Sequence, residues 1–195
     1  MDSSDSVDVV DASLPVTTVA FSSTWQYWDK QVFALLGAGP SATAWSISVA
    51  KAIAKWSWVL MTLLLLGQLM MQMSLWGWVL GALLLSGVVQ WVVKRITRRW
   101  PVPRPFALGL CPNHLQHGPR GGFPSAHAIV MGFLVGMLAY APLLLPQVWW
   151  SVLVLSVATA WARVYAGAHF VSDVVAGLCL GGLLGWGASQ LFLLA

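Results

Sequence analysis

His169 and Asp173 lie four residues apart, Arg163 precedes them by six, and Ser125 and His127 open an earlier apolar stretch. On a helix, residues four apart share a face. Asp173 can therefore hold one nitrogen of His169 as N–H, leave the other as a nucleophilic lone pair, and stabilise the positive charge that develops on attack. The same pair can equally do no more than cap a membrane helix at its interface. Ser125 and His127 sit at a helix start, where free backbone N–H groups favour an anion and a serine hydroxyl adds a donor; a plain N-cap is the competing reading of Ser125. Arg104 and Arg163 can bind oxygens bidentately, although Arg104 alone reads equally as a cation among lipid headgroups. Together these groups meet the needs of phosphoryl transfer: an in-line nucleophile, cations for the equatorial oxygens, and His127 as an acid for the leaving group.

The chain that must position them is mostly lipid-soluble. Of its 195 residues 58% are hydrophobic and 8% charged, and the mean hydropathy is +0.77, which implies an all-α integral membrane bundle. A charge at the centre of a membrane helix costs about 2.5–3.5 kcal/mol on insertion scales, so polar groups kept in such a chain point to a site. Five stretches are long enough to span: Trp56–Met73, Trp76–Val93, Ala126–Leu145, Val148–Tyr165 and Phe170 to the C-terminus. The shortest of these reach about 27 Å at 1.5 Å per residue, near the thickness of the hydrocarbon core. Residues 25–54 carry Asp29, Lys30 and Lys51 and a Gly37-Ala38-Gly39-Pro40 break. They read as a short interfacial helix followed by a helix leading into the first span, with a sixth, partial span as the upper count.

No repeat or linker divides residues 19–195, which read as one domain. Residues 1–18, with Asp2, Asp5, Asp8 and Asp11, lack the features of a signal peptide and read as a retained mobile tail. Cys111 and Cys179 are too few and too differently placed for a disulfide framework or zinc site. Tryptophans 56, 58, 76, 78, 91, 149 and 150 gather near span ends and read as interfacial belt residues. Glycines 177, 181 and 185 recur every four residues, a spacing that lets another helix approach closely. Counting spans puts the 94–124 and 166–169 connections on one membrane face. There Lys94, Arg95, Arg98, Arg99, Arg104 and Arg120 can converge with Ser125, His127, Arg163, His169 and Asp173.

Taken together, Arg104-Pro105, Pro124-Ser125-Ala126-His127, and Arg163 followed at the right intervals by His169 and Asp173 resemble the signature of the type 2 phosphatidic acid phosphatase superfamily, which shares it with vanadium haloperoxidases. The resemblance covers roughly residues 50–195. It implies a core of the phosphatase and haloperoxidase kind with His169 as a nucleophile forming phosphohistidine, Asp173 as its orienting partner and His127 as the acid. Arg104, Ser125 and Arg163 would hold the phosphate, and neither metal nor other cofactor is implied. Three positions depart from the family pattern. Ala126 replaces a glycine, Ala162 replaces a serine, and Thr97 stands where the first motif has lysine; Lys94 is assigned to that role, with Arg98 as the other candidate.

The runs Arg104-Pro105-Phe106, Asn113-His114-Leu115-Gln116-His117 and Phe123-Pro124-Ser125 are most similar to bacterial undecaprenyl-diphosphate phosphatases of the bacitracin-resistance type. That similarity implies hydrolysis of a polyprenyl diphosphate to its monophosphate in the bacterial inner membrane, recycling a carrier lipid for envelope polysaccharides, with no nucleic-acid partner. Phosphatidic acid, phosphatidylglycerophosphate or diacylglycerol pyrophosphate would satisfy the same phosphate site, and an acceptor hydroxyl could replace water to give a phosphotransferase. His114 and His117 read as polar loop groups rather than metal ligands. A serine hydrolase built on Ser125 and His127 has no spacing to support it and no third member. A non-catalytic lipid binder would need the cations but not the His169 and Asp173 pair. The positive-inside rule puts the basic face in the cytoplasm, but those cations also bind phosphate; the subgroup resemblance implies a periplasmic or extracytoplasmic site.

Overall fold

A computed structural model of the chain describes residues 24–39, 41–98, 100, 102–119, 121–141 and 144–194. The tail over 1–18, Arg99 and Arg120 lie outside the described residues. Among those described are six helices and no strand: α1 Thr24–Leu36, α2 Ala44–Met71, α3 Trp76–Thr97, α4 Ala126–Leu138, α5 Pro146–Tyr165 and α6 Val171–Leu194. The all-helical membrane bundle expected from composition is what forms. The helices α2, α5 and α6, together with α3 and the 3₁₀ turn before it, are long and apolar enough to cross a bilayer.

Two boundaries differ from the hydropathy reading. The lead-in helix and the first span are one continuous helix, α2, whose Thr43 hydroxyl caps Ser46 N–H at 3.2 Å. Its 28 residues extend about 42 Å, beyond the thickness of the hydrocarbon core. Conversely, α4 stops at Leu138 rather than Leu145 and has 13 residues, about 20 Å. The apolar composition continues through residues 139–145, but Pro142 has no amide hydrogen to donate and disfavours helical backbone before it. Ala141 N–H turns back to the Leu138 carbonyl at 3.2 Å, and Pro146 then starts α5.

Short α4 is the buried centre. Ile129, Met131, Phe133, Leu134, Met137 and Leu138 are all buried, the last five packed with Met61 and Leu65 of α2, Trp78 and Val79 of α3 and Val152 of α5. On the outer faces Leu84, Val88, Leu183 and Leu191 are exposed, as lipid-facing surfaces should be. Trp56, Trp58, Trp76, Trp91 and Trp150 are exposed too, whereas Trp78 is buried against Phe192 with ring centroids 5.5 Å apart. Two residues along a helix rotate a side chain about 200°, so Trp76 and Trp78 face opposite ways. Trp149 is likewise drawn inward, its indole N–H donating to the Val135 carbonyl at 3.2 Å.

The close approach expected of the α6 glycines is found, and its partner is α4. A Cβ on Gly177 would lie 2.8 Å from the Ser125 carbonyl oxygen; one on Gly181 would overlap the carbonyl of Ile129, and one on Gly185 that of Phe133. Gly132 and Gly136 of α4 answer with the same closeness to the carbonyls of Leu178 and Gly182. The two helices therefore meet backbone to backbone, the small-residue packing that lipid favours. The ends of α3 and α5 and the starts of α4 and α6 then lie at one end of the bundle. There Ala38 N–H donates to the Tyr165 carbonyl at 2.9 Å, and Ser46 shares a 2.8 Å hydrogen bond with the Tyr165 hydroxyl.

Overpacking a close interface costs about 1–3 kcal/mol. Gly181→Leu should lower the thermal unfolding midpoint in detergent by several degrees. Gly187→Leu, at a position with nothing within 4 Å of a Cβ, should leave it unchanged; equal midpoints for the two variants would count against this packing.

Candidate active site

Arg104 is placed by the proline after it. Pro105 begins a 3₁₀ turn and keeps Arg104 extended (φ −88°, ψ 160°), as the residue before proline must be. Its guanidinium reaches across to the α5–α6 turn. There Nη1 donates to the Ala168 carbonyl at 2.8 Å and contacts His169 Nε2 at 3.2 Å, while Nη2 donates to the Gly121 carbonyl at 3.2 Å. Burial pushes the Arg104 pKa down and the nearby Asp173 carboxylate opposes that shift.

His169 is presented by a tight turn. Ala166 N–H bonds the Ala162 carbonyl, Gly167 N–H the Val164 carbonyl and Ala168 N–H the Arg163 carbonyl at 3.0, 2.9 and 3.1 Å, so Arg163 and His169 are brought back together. Gly167 carries a positive φ of 74°, and a Cβ there would overlap Cys111 Sγ; only glycine meets both demands. Burial pushes the Cys111 thiol up to about 11, so this sulfur packs the turn as an unreactive group.

The His169 ring is held differently from the simplest expectation. Nδ1 lies 2.8 Å from the Gly122 carbonyl and 3.5 Å from Asp173 Oδ2. A carbonyl can only accept, so Nδ1 carries the proton and Nε2 the lone pair. Arg104, a donor only, touches that lone pair, which agrees. Gly122 therefore makes the closer contact, while Asp173 accepts Phe170 N–H at 2.9 Å and places its charge beside the imidazole. Burial, then the charges of Arg163 and Arg104, push His169 well below 6.5. It is neutral at pH 7.

Arg163, in the last turn of α5, is buried and donates from Nη2 to His117 Nε2 at 2.7 Å. His117, read from sequence only as a loop group, is thus part of the cluster. Asn113 fixes it, accepting His117 N–H at 3.1 Å and donating to the His117 carbonyl at 2.9 Å. That four-residue Asn–His spacing was the available signal. Burial, then Arg163 and Arg104, push His117 down to about 4, keeping it an acceptor.

Ser125 stands at the N-cap position of α4 but its hydroxyl makes no cap hydrogen bond. Instead Ser125 Oγ, Arg104 Nε and Arg163 Nε are buried without a partner among the described residues. Buried donors are nearly always paired, so these three mark a place for acceptor oxygens. Ser125 N–H is fixed to the Asp173 carbonyl at 2.9 Å, joining the start of α4 to the first turn of α6. His127, in the first turn of α4, has Arg163, His169, Lys94 and His117 within electrostatic reach. It also borders a cavity of about 250 Å³ between α2, α3 and α4, walled by Met61, Leu83, Val130, Met131 and Leu134.

The departures from the family pattern now have physical settings. Ala126 is the first helical residue of α4, where a Cβ is no obstacle. Ala162 is fully buried against Ala50 and Ala54 of α2, a contact that gives a hydroxyl no water. The Thr97 hydroxyl bonds its own helix at the Val93 carbonyl, 2.9 Å away. Lys94, Arg95 and Arg98 line a cleft of about 530 Å³ that reaches Gly121, whose carbonyl holds Arg104.

Known proteins share the sequence pattern and the fold of this chain. The profile of the PAP2 superfamily matches residues 75–194. The Escherichia coli (strain K12) protein named "Putative undecaprenyl-diphosphatase YbjG" is 33% identical over 168 residues, covering 82% of this chain and 80% of that protein. Two solved structures share the fold. Aquifex aeolicus LpxE aligns with a TM-score of 0.62 at 21% identity, covering 80% of this chain and 91% of that one. The first transmembrane PAP2 type phosphatidylglycerolphosphate phosphatase from Bacillus subtilis aligns with a TM-score of 0.65 at 22% identity, covering 88% and 87%. With the family profile over most of the bundle and Arg104, Ser125, His127, Arg163, His169 and Asp173 gathered at one end of it, the chain belongs to the PAP2 superfamily, as a multi-pass membrane protein.

Proposed function

We propose that this PAP2 lipid phosphatase acts on a polyprenyl diphosphate, undecaprenyl diphosphate first among candidates, releasing inorganic phosphate and returning the monophosphate carrier for envelope polysaccharide synthesis. The observation that carries the reading is the set of buried, partnerless donors on Ser125, Arg104 and Arg163 around the neutral, lone-pair-bearing His169. An anion of tetrahedral shape and several oxygens answers that arrangement.

In the proposed reaction Arg104 Nη1 moves from His169 Nε2 to a phosphate oxygen, and Nε2 attacks the terminal phosphorus in line. The bond to the bridging oxygen breaks and its electron pair leaves with the lipid monophosphate, which takes a proton from His127, protonated once the bound diphosphate offsets the cations around it. Water then attacks the phosphohistidine, giving a proton to His127, and inorganic phosphate departs with Nε2 restored. Asp173, beside Nδ1, offsets the charge on the phosphorylated ring.

The second phosphate supports the choice of a diphosphate. With the terminal group on Ser125, Arg104 and Arg163, the retained phosphate needs cations of its own, and Lys94 and Arg98 in the adjoining cleft supply them. The cavity beside His127, mostly apolar but with Thr62, Ser86 and Gln90 in its lining, suits the first isoprene units. The site face is read as periplasmic or extracytoplasmic, where a carrier lipid is spent.

Purified protein in detergent with EDTA should release phosphate from undecaprenyl diphosphate, and His169→Ala should lower kcat by about a thousandfold or more. Turnover of phosphatidic acid instead would keep the chemistry and discard the substrate; turnover that survives His169→Ala would discard the nucleophile. In a Lys94→Gln, Arg98→Gln double variant, KM for the diphosphate should rise roughly tenfold, as expected for the loss of about 1.4 kcal/mol of binding. KM for a monophosphate of equal tail should stay within about threefold by the same arithmetic; equal losses on both substrates would remove the cleft from the diphosphate site.

Both His169 and His117 act through lone pairs and so must be neutral. His117 titrates near 4 in the fold and His169 well below 6.5, whereas the unfolded chain has both near 6.5. Between pH 6.5 and about 4 the unfolded state therefore binds more protons, and stability falls as pH is lowered through that window. The thermal midpoint in detergent should drop from pH 7 to pH 5, and His117→Gln should flatten the slope.

A further inference from the structure

Helix α1 lies outside the residues matched by the family profile, yet it holds both flanks of the turn that presents His169. Asp29 is buried although it belongs to a helix whose Trp28 and Leu35 are 62% and 83% exposed. One carboxylate oxygen accepts Ser172 N–H at 3.1 Å and the other accepts the Ser172 hydroxyl, 143 positions away in sequence. One turn further along α1, Phe33 meets Phe170 edge to face, with centroids 5.7 Å apart and planes at 70°. Beyond the end of the helix, Ala38 N–H donates to the Tyr165 carbonyl at 2.9 Å. The three contacts bracket residues 166–169, and His169 sits inside the bracket.

Helix capping alone does not account for Asp29. The α6 start already has an acceptor in Asp173, which takes Phe170 N–H at 2.9 Å, and remaining N–H groups are usually met by a nearby polar residue or water. A second carboxylate brought from a separate helix is desolvated and sits within reach of the like charge on Asp173. Its bonds to Ser172 fix the first turn of α6, and so the direction in which His169 leaves it. Among the phosphate donors Arg163 is held by His117 and one arm of Arg104 by Gly121, both away from α6, while the other arm of Arg104 bonds Ala168 and Ser125 N–H bonds the Asp173 carbonyl.

We infer that Asp29 is a positioning residue for the reaction: through Ser172 and the first turn of α6 it sets the line of attack of His169. The inference rests on the reading of His169 as nucleophile.

The test measures lipid-phosphate turnover by full-length wild type, Asp29→Ala, Asp29→Asn and His169→Ala, with inhibition by inorganic phosphate and a thermal midpoint recorded for each. Rates are normalised to folded protein. Misplacement of a reacting group by about 1 Å can cost up to a hundredfold, so a partial shift should lower kcat of Asp29→Ala by about tenfold. KM and phosphate inhibition should stay near wild type. Asp29→Asn should recover most of kcat, because its carbonyl oxygen still accepts Ser172 N–H. An unchanged kcat in Asp29→Ala, or KM and phosphate inhibition falling away in step with kcat, would overturn the positioning role. So would an Asp29→Asn variant as impaired as Asp29→Ala. If wild type and His169→Ala turn over equally, the reading of the nucleophile fails and takes this inference with it.

Discussion

Two cations, Arg163 buried and Arg104 half-buried, held by neutral partners set the terms for the whole site. Arg104 is bonded to two carbonyls and an imidazole, and Arg163 to a second imidazole. Burying a charge without its counterion is expensive, and a carboxylate placed on each guanidinium would remove the cost. Such a pairing would also fill the site. The arrangement instead satisfies part of each fork with groups that carry no charge, leaving positive potential and an unused Nε on both arginines. Asp173 lies near enough to moderate Arg104 but spends its closest hydrogen bond on Phe170 N–H. An incoming anion therefore replaces no ion pair, and His117 and His169 stay neutral, first because they are buried and then because the same cations surround them.

Holding that much charge at a membrane face demands anchorage, and the backbone supplies most of it. Carbonyls of Gly121, Gly122 and Ala168 fix Arg104 and His169, and the Asp173 carbonyl fixes Ser125. The connection after α3 is tied down in turn, with Gly122 N–H on the Val102 carbonyl at 3.2 Å and Phe123 stacked on Trp100, centroids 6.1 Å apart. Loops that would otherwise be the least ordered parts of a helical bundle thereby share the rigidity of the helix ends.

The residues that announced themselves in sequence were those whose side chains carry rare chemistry at short, helical spacing. His169 with Asp173, Ser125 with His127, and the glycines of α6 are local patterns; the glycines and the start of α4 are found where their spacing put them, whereas His169 sits in the turn before α6 and not on it. Partners set by chain reversal were harder to read. His117 reaches Arg163 only because the loop folds over the α5 end, and Gly122 acts through a carbonyl, which no residue type advertises. Asp29 looked like an ordinary polar face of an interfacial helix. Hydropathy also overran α4, because it counts apolar residues and is blind to the backbone donor that Pro142 lacks. It equally could not separate Trp78 from Trp76, which differ in direction rather than depth.

The contact between α4 and α6 has a further consequence. Because glycines put carbonyl against α-carbon along much of its length, there is little side-chain layer between the helix bearing Ser125 and His127 and the helix whose first turn follows His169. Rotamer changes cannot widen or shear that joint, so His169, His127 and Ser125 form a gauge of fixed width. Adaptation to a different lipid must then be written elsewhere, in the walls contributed by α2 and α3 and in the cations at the end of α3. The fold thus separates a part that sets the chemistry from a part free to change what is brought to it.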